Sequence, residues 1–198
     1  MMRTIVLQLS VAVCLLFTIS VASAQQKSPK GDILINEERL DDGGPKSSDT
    51  RRIWLVSAAD PTKRELLFTH YRTADVVFSP DEEWLVSNHH AGSSEAYALL
   101  YRRNGGLHYE MTTDVGEAAW AFFCKQNGLG SDTGFDHNYV DCVQWLRGRP
   151  GTFLLTLRGH ADSRNYTSDW RCIYDTKTRE FLLTKGLKEH NKGRAVME

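Results

Sequence analysis

Short apolar runs separated by turn residues dominate the chain after residue 31. In VVFSPDEEWLVSNHH (residues 76–90), one apolar run ends at Ser79-Pro80-Asp81, and a second, Trp84-Leu85-Val86, follows at once. Short runs of β-branched and aromatic residues bounded by Gly, Pro, Asp and Asn are typical of strands joined by tight turns. The pattern therefore predicts a mainly β protein built from antiparallel hairpins.

The predicted strands recur in the same order in two stretches of the chain. The first stretch has runs at residues 75–78, 84–87, 96–102 and 107–111, and the second at 140–146, 153–158, 170–175 and 180–184. In both, a longer polar loop containing His joins the second and third runs, and a tight turn joins the last two. RIWLVSAADPTKRELLFT (residues 52–69) is a further copy of the last hairpin. This repetition predicts two to three antiparallel sheets of similar build.

Two of these segments resemble repeats of a known class. FSPDEEWL (residues 78–85) resembles the blade-opening motif F-S-P-D-G-x-x-(W/L)-(I/L/V) of TolB-like and WD-type β-propeller repeats, with Glu82 where Gly is usual. IYDTKTREFLLT (residues 173–184) resembles the outer hairpin of the same blade. The resemblance implies propeller-blade-like sheets. It implies a partial or open propeller, because closed propellers typically take about four to eight blades.

The segment between the two units predicts one inserted helix, at about residues 114–128. In DVGEAAWAFFCKQNGLG (residues 114–130), Asp114 can cap the first turn and Glu117 stands three residues further on, as in a capping box. Gly128 suits a left-handed C-terminal cap. We expect this helix to cover a sheet edge, and a partner-binding helix is the alternative.

The first 24 residues read as a secretory signal peptide. Arg3 precedes a mainly apolar stretch at residues 5–21, and Ala22-Ser23-Ala24 is a small-residue cleavage site. The apolar stretch is short for a spanning helix, so no stable membrane span is expected after cleavage, and the predicted location is periplasmic or secreted. The remaining chain divides into a disordered leader (25–31), a single β-rich domain (32–186) and a flexible tail (187–198).

Charge and cysteine content narrow the possibilities further. The whole chain has 24 basic and 25 acidic residues, and signal cleavage removes only Arg3 from this balance. No basic face is indicated, so a nucleic-acid partner is not expected. The predicted mature chain keeps Cys124, Cys142 and Cys172 with no C-x-x-C spacing, which indicates one disulfide and one free thiol in an oxidising compartment. We expect the bridge to join Cys124 and Cys142.

Five of the seven histidines are candidates for one shared surface. His89-His90 falls in the predicted loop between the second and third runs of the first unit, and His160 with Asp162 falls in the matching loop of the second. The links that precede the units contain His70, and Asp136 with His137. In a propeller these loops and links share one face. The candidate binding residues are therefore His89, His90, His160, Asp162, Asp136 and His137.

Candidate chemistry is sparse, and three functions stay open. No G-x-S-x-G is present, catalytic residues are unknown, and the sequence does not establish an enzyme. No ligand spacing predicts a metal, and no cofactor is expected. The first hypothesis is an exported non-catalytic protein that binds an unknown protein, peptide or glycan. The alternatives are a small metal-dependent hydrolase that uses the loop histidines, and an assembly subunit that forms oligomers through sheet edges.

Overall fold

The computed structural model of the chain describes residues 26–40, 50–130, 134–161 and 165–196. The predicted signal peptide (residues 1–24) and Asp162 lie outside these ranges. The described chain is mainly β, with antiparallel sheets and two helices, which confirms the predicted fold class. In the ranges described, no helix has the length and apolar character needed to cross a membrane.

A three-stranded antiparallel sheet forms first. Its strands are β1 (Ile33–Arg39), β2 (Arg51–Ser57) and β3 (Arg64–His70), in the order β1-β2-β3. The turn between β2 and β3 is closed by Asp60, which accepts hydrogen bonds from the backbone N–H and the hydroxyl of Thr62. This hairpin is the partial third copy that the sequence predicts.

The first repeat unit is an antiparallel meander of four strands. These are β4 (Thr73–Phe78), β5 (Trp84–His90), β6 (Glu95–Arg103) and β7 (Tyr109–Asp114), each paired with the next. All four runs predicted for this unit form strands. β5 extends three residues beyond its prediction and includes His89 and His90.

The predicted helix is confirmed as α1 (Val115–Gln126). Its first turn is capped by Asp114, whose Oδ1 accepts hydrogen bonds from the backbone N–H of Gly116 at 2.8 Å and of Glu117 at 3.1 Å. After the helix, Gly128 has φ +70, the left-handed conformation that glycine adopts without steric cost. Capping residues at both ends therefore fix the position of this insertion.

The second repeat unit is another four-stranded meander. Its strands are β8 (His137–Trp145), β9 (Thr152–His160), β10 (Tyr166–Asp175) and β11 (Glu180–Leu182). β8 runs parallel to β6 and pairs with it only at Glu95 with Asn138 and Ala96 with Tyr139. This junction joins both units into one nine-stranded sheet, where the sequence suggested separate sheets. The resemblance to propeller repeats stays a prediction.

The C-terminal residues form structure where a flexible tail was expected. α2 (Lys185–Asn191) is followed by β12 (Ala195–Val196), which pairs with β10. The side chain of Asn191 accepts from the backbone N–H of Arg171 and donates to its carbonyl, both at 2.8 Å. α2 buries no residue, so its sequence lacks the apolar periodicity that would have predicted it.

The expected disordered leader is likewise ordered over residues 26–31. The Gln26 amide donates to the carbonyl of Val76, and the backbone N–H of Lys30 donates to the Glu82 carboxylate, both at 2.7 Å. Ser28 is buried, and Lys27 forms an antiparallel β-bridge with Leu34 of β1. The segment is polar in composition, but residues about 50 positions away satisfy its hydrogen bonds.

Two apolar cores lie on opposite faces of the first unit. The first core fills the space between the β1–β3 sheet and one face of this unit, and it includes Ile53, Leu55, Val76, Leu85 and Tyr101. The second core lies between the other face, α1 and the second unit, and it includes Val86, Leu100, Phe123, Leu155 and Trp170. The first unit is therefore the middle layer, and every strand of it contributes at least one buried residue to a core.

The cysteines belong to the second core and form no bridge. Cys124, Cys142 and Cys172 are all buried and free, so the predicted disulfide between Cys124 and Cys142 is wrong for the described chain. Cys142 and Cys172 project from strand interiors, where burial raises the pKa of both thiols. A thiol packed in this way acts as a small apolar side chain.

Candidate functional site

Strand pairing brings the candidate histidines to the same end of the sheets. His90 pairs with Thr73 and Ala96, Ala96 pairs with Tyr139, and His137 pairs with His160. His70 closes β3, which leads directly into β4. We call this region the histidine end, and its histidines are His70, His89, His90, His137 and His160.

Most of the candidate residues lie in strands, although they were predicted to lie in loops. His89 and His90 are the last two residues of β5, His137 begins β8, and His160 ends β9. Asp136 directly precedes β8, and its backbone N–H donates to the carbonyl of His160 at 3.1 Å. Successive residues in a strand point to opposite faces, so neighbouring histidines separate.

His89 faces the β1–β3 sheet. Its ring stacks on Phe68 with 5.6 Å between ring centroids, and it meets His70 edge-on at 6.0 Å. Burial lowers the pKa of His89, and repulsion from His70 and His90 lowers it further. The imidazole of His89 is therefore held towards its neutral form, as part of an aromatic group rather than as a free cation.

His90 faces the second unit, where it meets carboxylates that the sequence analysis did not select. His90 Nε2 lies 3.5 Å from Oδ1 of Asp141 in β8. Asp75 lies beside this pair. Desolvation of its carboxylate by the surrounding protein raises the pKa of Asp75, and the negative charge of Asp141 raises it further. The Asn88 amide donates to Asp75 at 3.2 Å and opposes this rise. The His90 and carboxylate side chains offer hydrogen-bonding groups to a ligand.

His137 and His160 form the closest histidine pair. Their ring centroids are 4.2 Å apart and the rings are tilted by 36°. Gly159 permits the surrounding packing, because a Cβ there would lie 2.1 Å from the carbonyl oxygen of His137 and 2.8 Å from the ring of Trp120. Across the part of the chain that the structure describes, no three His, Cys, Asp or Glu residues are placed to hold a metal ion.

Tyrosines complete the histidine end, and sequence reasoning missed them. Tyr71 and Tyr166 are 62% and 43% exposed. Tyr97 lies 6.4 Å from His89, and Tyr139 lies 6.4 Å from His137 between ring centroids. The Arg158 guanidinium sits 4.8 Å above the Tyr139 ring. Their closeness in sequence to the histidines, as in His70-Tyr71 and His137–Tyr139, is the signal that could have identified these tyrosines.

The histidine end is thus a mixed surface of imidazole, phenol and carboxylate groups. It brings His137 and His160 together, separates His89 from His90, and adds Asp75 and Asp141. Such a surface can stack on a ligand and hydrogen-bond to it, without a bound ion. No protein family, curated protein or solved structure matches this chain.

Proposed function

We propose that this is an exported, non-catalytic binding protein whose histidine end contacts a protein or peptide ligand. The observation that carries the proposal is the strand register, which sets two exposed tyrosines, Tyr71 and Tyr166, beside five histidines at one end of the sheets. An exposed phenol ring offers apolar area and a hydroxyl at little entropic cost. Nothing in this surface requires a metal.

The composition of the histidine end favours a polypeptide over a glycan. Tryptophans would be the expected stacking platforms for sugars, but Trp145 and Trp170 are buried in the second core. The Arg64 guanidinium covers Trp54 at 4.3 Å. Tyrosine and arginine, which the histidine end does present, are the residues enriched where proteins bind one another. We therefore expect peptide contacts built on Tyr71 and Tyr166.

Export is part of the same proposal. Removal of residues 1–24 would leave a chain that starts at Gln25, one residue before the segment that docks on β4 through Gln26. The histidine end would then face a periplasmic or extracellular partner. N-terminal sequencing of the protein recovered from its producing cell tests this part, and a start at Gln25 is the expected result.

A site-specific photocrosslinking experiment tests the ligand. A photoreactive phenylalanine analogue replaces Tyr71 or, separately, Tyr166 in the full chain expressed in its own cell. The control places the analogue at Met111, which is 59% exposed on β7 and outside the histidine end. We expect one polypeptide to be crosslinked from both tyrosine positions and not from Met111.

Affinity measurements decide whether that crosslink reports binding. The crosslinked polypeptide is purified and titrated into the wild type, a Tyr71→Ala/Tyr166→Ala variant and a Met111→Ala variant. Loss of two interfacial tyrosines is expected to weaken binding by at least about 1 kcal/mol per residue, as at other interface hot spots. Equal affinity for all three proteins would rule out the histidine end as the binding surface. A partner that proves to be a glycan would overturn the polypeptide assignment.

A further inference from the structure

A small polar crevice lies at the other side of the molecule, between the two repeat units. It is bounded by β6 and β7 of the first unit and by the β10–β11 turn of the second, and its volume is about 170 Å³. Its polar and aromatic lining includes Trp84, Arg102, Thr113, Tyr174, Thr176 and Arg179. Trp84 begins β5 and His90 ends it, so the crevice and the histidine end are about 20 Å apart along that strand.

The charge of this crevice is positive and uncompensated. Arg102 places its guanidinium 5.5 Å from the centroid of the Trp84 ring. Among the residues that the structure describes, neither Arg102 nor Arg179 has a carboxylate within salt-bridge distance, although eleven other such pairs occur there. No Asp or Glu of the described chain lines the crevice. Two arginines that share a concave surface without an acid favour an anion there.

One buried hydroxyl group in the same crevice has no hydrogen-bond partner in the described chain. Thr176 is 7% exposed, and its Oγ1 is without a partner. Tyr174 lines the same crevice and is 5% exposed. Burial raises the pKa of Tyr174, and the positive charge of Arg179 opposes that rise, which sets the guanidinium within electrostatic reach of the phenol. Buried hydroxyl groups are normally paired, so the Thr176 hydroxyl has a donor available for an acceptor in the crevice.

We infer that this crevice binds a tetrahedral oxyanion, phosphate or sulfate, either free or as a monoester. Arg102 and Arg179 supply the charge, and the hydroxyls of Tyr174, Thr176 and Thr113 supply neutral donors to the remaining oxygens. Arginine binds such anions through paired N–H groups in a fixed plane. The Trp84 ring borders the crevice and provides a face for an organic group on a monoester.

Calorimetric titration with inorganic phosphate, at constant ionic strength in chloride, tests the site. We expect saturable binding to the wild type. Each charge-assisted hydrogen bond lost is expected to weaken binding roughly ten- to hundredfold, so Arg102→Gln and Arg179→Gln should each do so. Lys177→Gln is the matched control, because it removes a positive charge from the same turn without changing the lining. No saturable binding to the wild type would overturn the proposal, and so would an equal loss in Lys177→Gln.

A second variant separates anion binding from folding. Thr176→Val removes the unpaired hydroxyl and keeps the side-chain shape, so the protein is expected to fold with an unchanged or higher midpoint of thermal unfolding. Its phosphate affinity is expected to fall several-fold, and unchanged affinity would remove Thr176 from the site. Titration with sulfate and with phenyl phosphate distinguishes the sources. Tighter binding of phenyl phosphate that is lost in Trp84→Leu would identify a monoester, and equal binding of all three would identify the free anion.

Discussion

The side chain of Asn88 in β5 takes the place of a missing strand beside Cys142 in β8. Its amide donates to the carbonyl of Cys142 at 3.0 Å, and its oxygen accepts from the backbone N–H of Cys142 at 2.7 Å. The parallel pairing of β6 with β8 stops at Tyr139, so the edge of β8 beyond it would otherwise be unpaired. One buried amide therefore continues the junction between the two repeat units.

Asn88→Ala is expected to destabilise the protein by about 2–4 kcal/mol. Asn88 is only 4% exposed, and its loss leaves two backbone groups of Cys142 buried without partners, each at a cost of about 1–3 kcal/mol. Urea unfolding measures the change. Asn104→Ala, at an exposed turn, is the control and is expected to change stability by less than about 0.5 kcal/mol. Similar values for the two variants would show that the Cys142 contacts add nothing.

Two histidines are expected to give stability opposite dependences on pH. The pKa of His89 is lowered in the folded state, so stability is lost as the pH falls below the ordinary value of 6.5 through the folded pKa. The pKa of His108 is raised by hydrogen bonds to Glu65 and Glu110, so its contribution is present below 6.5 and lost as the pH rises through the folded pKa.

Urea midpoints of single variants between pH 5 and pH 8 test both effects. His89→Phe keeps the stacking on Phe68 and is expected to reduce the loss of stability at the acidic side. His108→Gln is expected to remove stabilisation at the acidic side and so to steepen that loss. If the urea midpoints of His89→Phe and the wild type change in parallel between pH 5 and pH 8, His89 does not cause the loss of stability at acidic pH.

Glu82 is expected to hold the N-terminal segment at the expense of backbone strain. It is fully buried with φ +59, and its carboxylate accepts from the Lys30 N–H at 2.7 Å. Arg103 lies 3.6 Å from the same carboxylate. Glu82→Ala is expected to cost about 3 kcal/mol of stability, because it breaks a partly buried ion pair and leaves the Lys30 N–H without its acceptor.

Glu82→Gly separates the contact from the strain. It loses the same carboxylate, but it adopts positive φ freely, so it is expected to be about 1 kcal/mol more stable than Glu82→Ala. Equilibrium unfolding in urea compares the two variants. Limited proteolysis at Lys27 and Lys30 reports release of the segment in both. If the alanine and glycine variants unfold at the same urea concentration, the backbone at residue 82 is not strained.

The three cysteines of the predicted mature chain are expected to be free and unreactive. All are buried, and burial raises the pKa of Cys142 and Cys172, which keeps their thiols protonated. A thiol reagent is therefore expected to label none of them in the native protein and all three after unfolding without reductant. A mass lower by two hydrogens before reduction would instead reveal a disulfide.

The elements that could be predicted from the sequence are those with local signals. Short apolar runs predict the strands around Val76 and Leu155, because their apolar side chains are buried in the two cores. Asp114 and Gly128 predict both ends of α1. α2 and residues 26–31 could not be predicted, since Asn191, Gln26 and Lys30 are held by polar partners distant in sequence.

The histidine end could be predicted only in part. The repeat register groups the loops and links at one end of the molecule, and in the structure His137 and His160 lie beside each other there. The contact of His90 with Asp141 depends on the parallel junction of β6 and β8, which no local pattern signals. The disulfide prediction was wrong for a similar reason, because shared membership of a core does not set the geometry of a bridge.

The C-terminal segment also bears on how the protein stays dispersed at high concentration. Between its contacts with β11 and β12, the strand β10 has an edge whose N–H and carbonyl groups at Arg171 are taken by Asn191. An uncovered edge of this kind is a template on which another chain can pair, and it is a common start of aggregation. A chain that ended before α2 would expose that template, so we expect residues 185–196 to protect the protein against self-association.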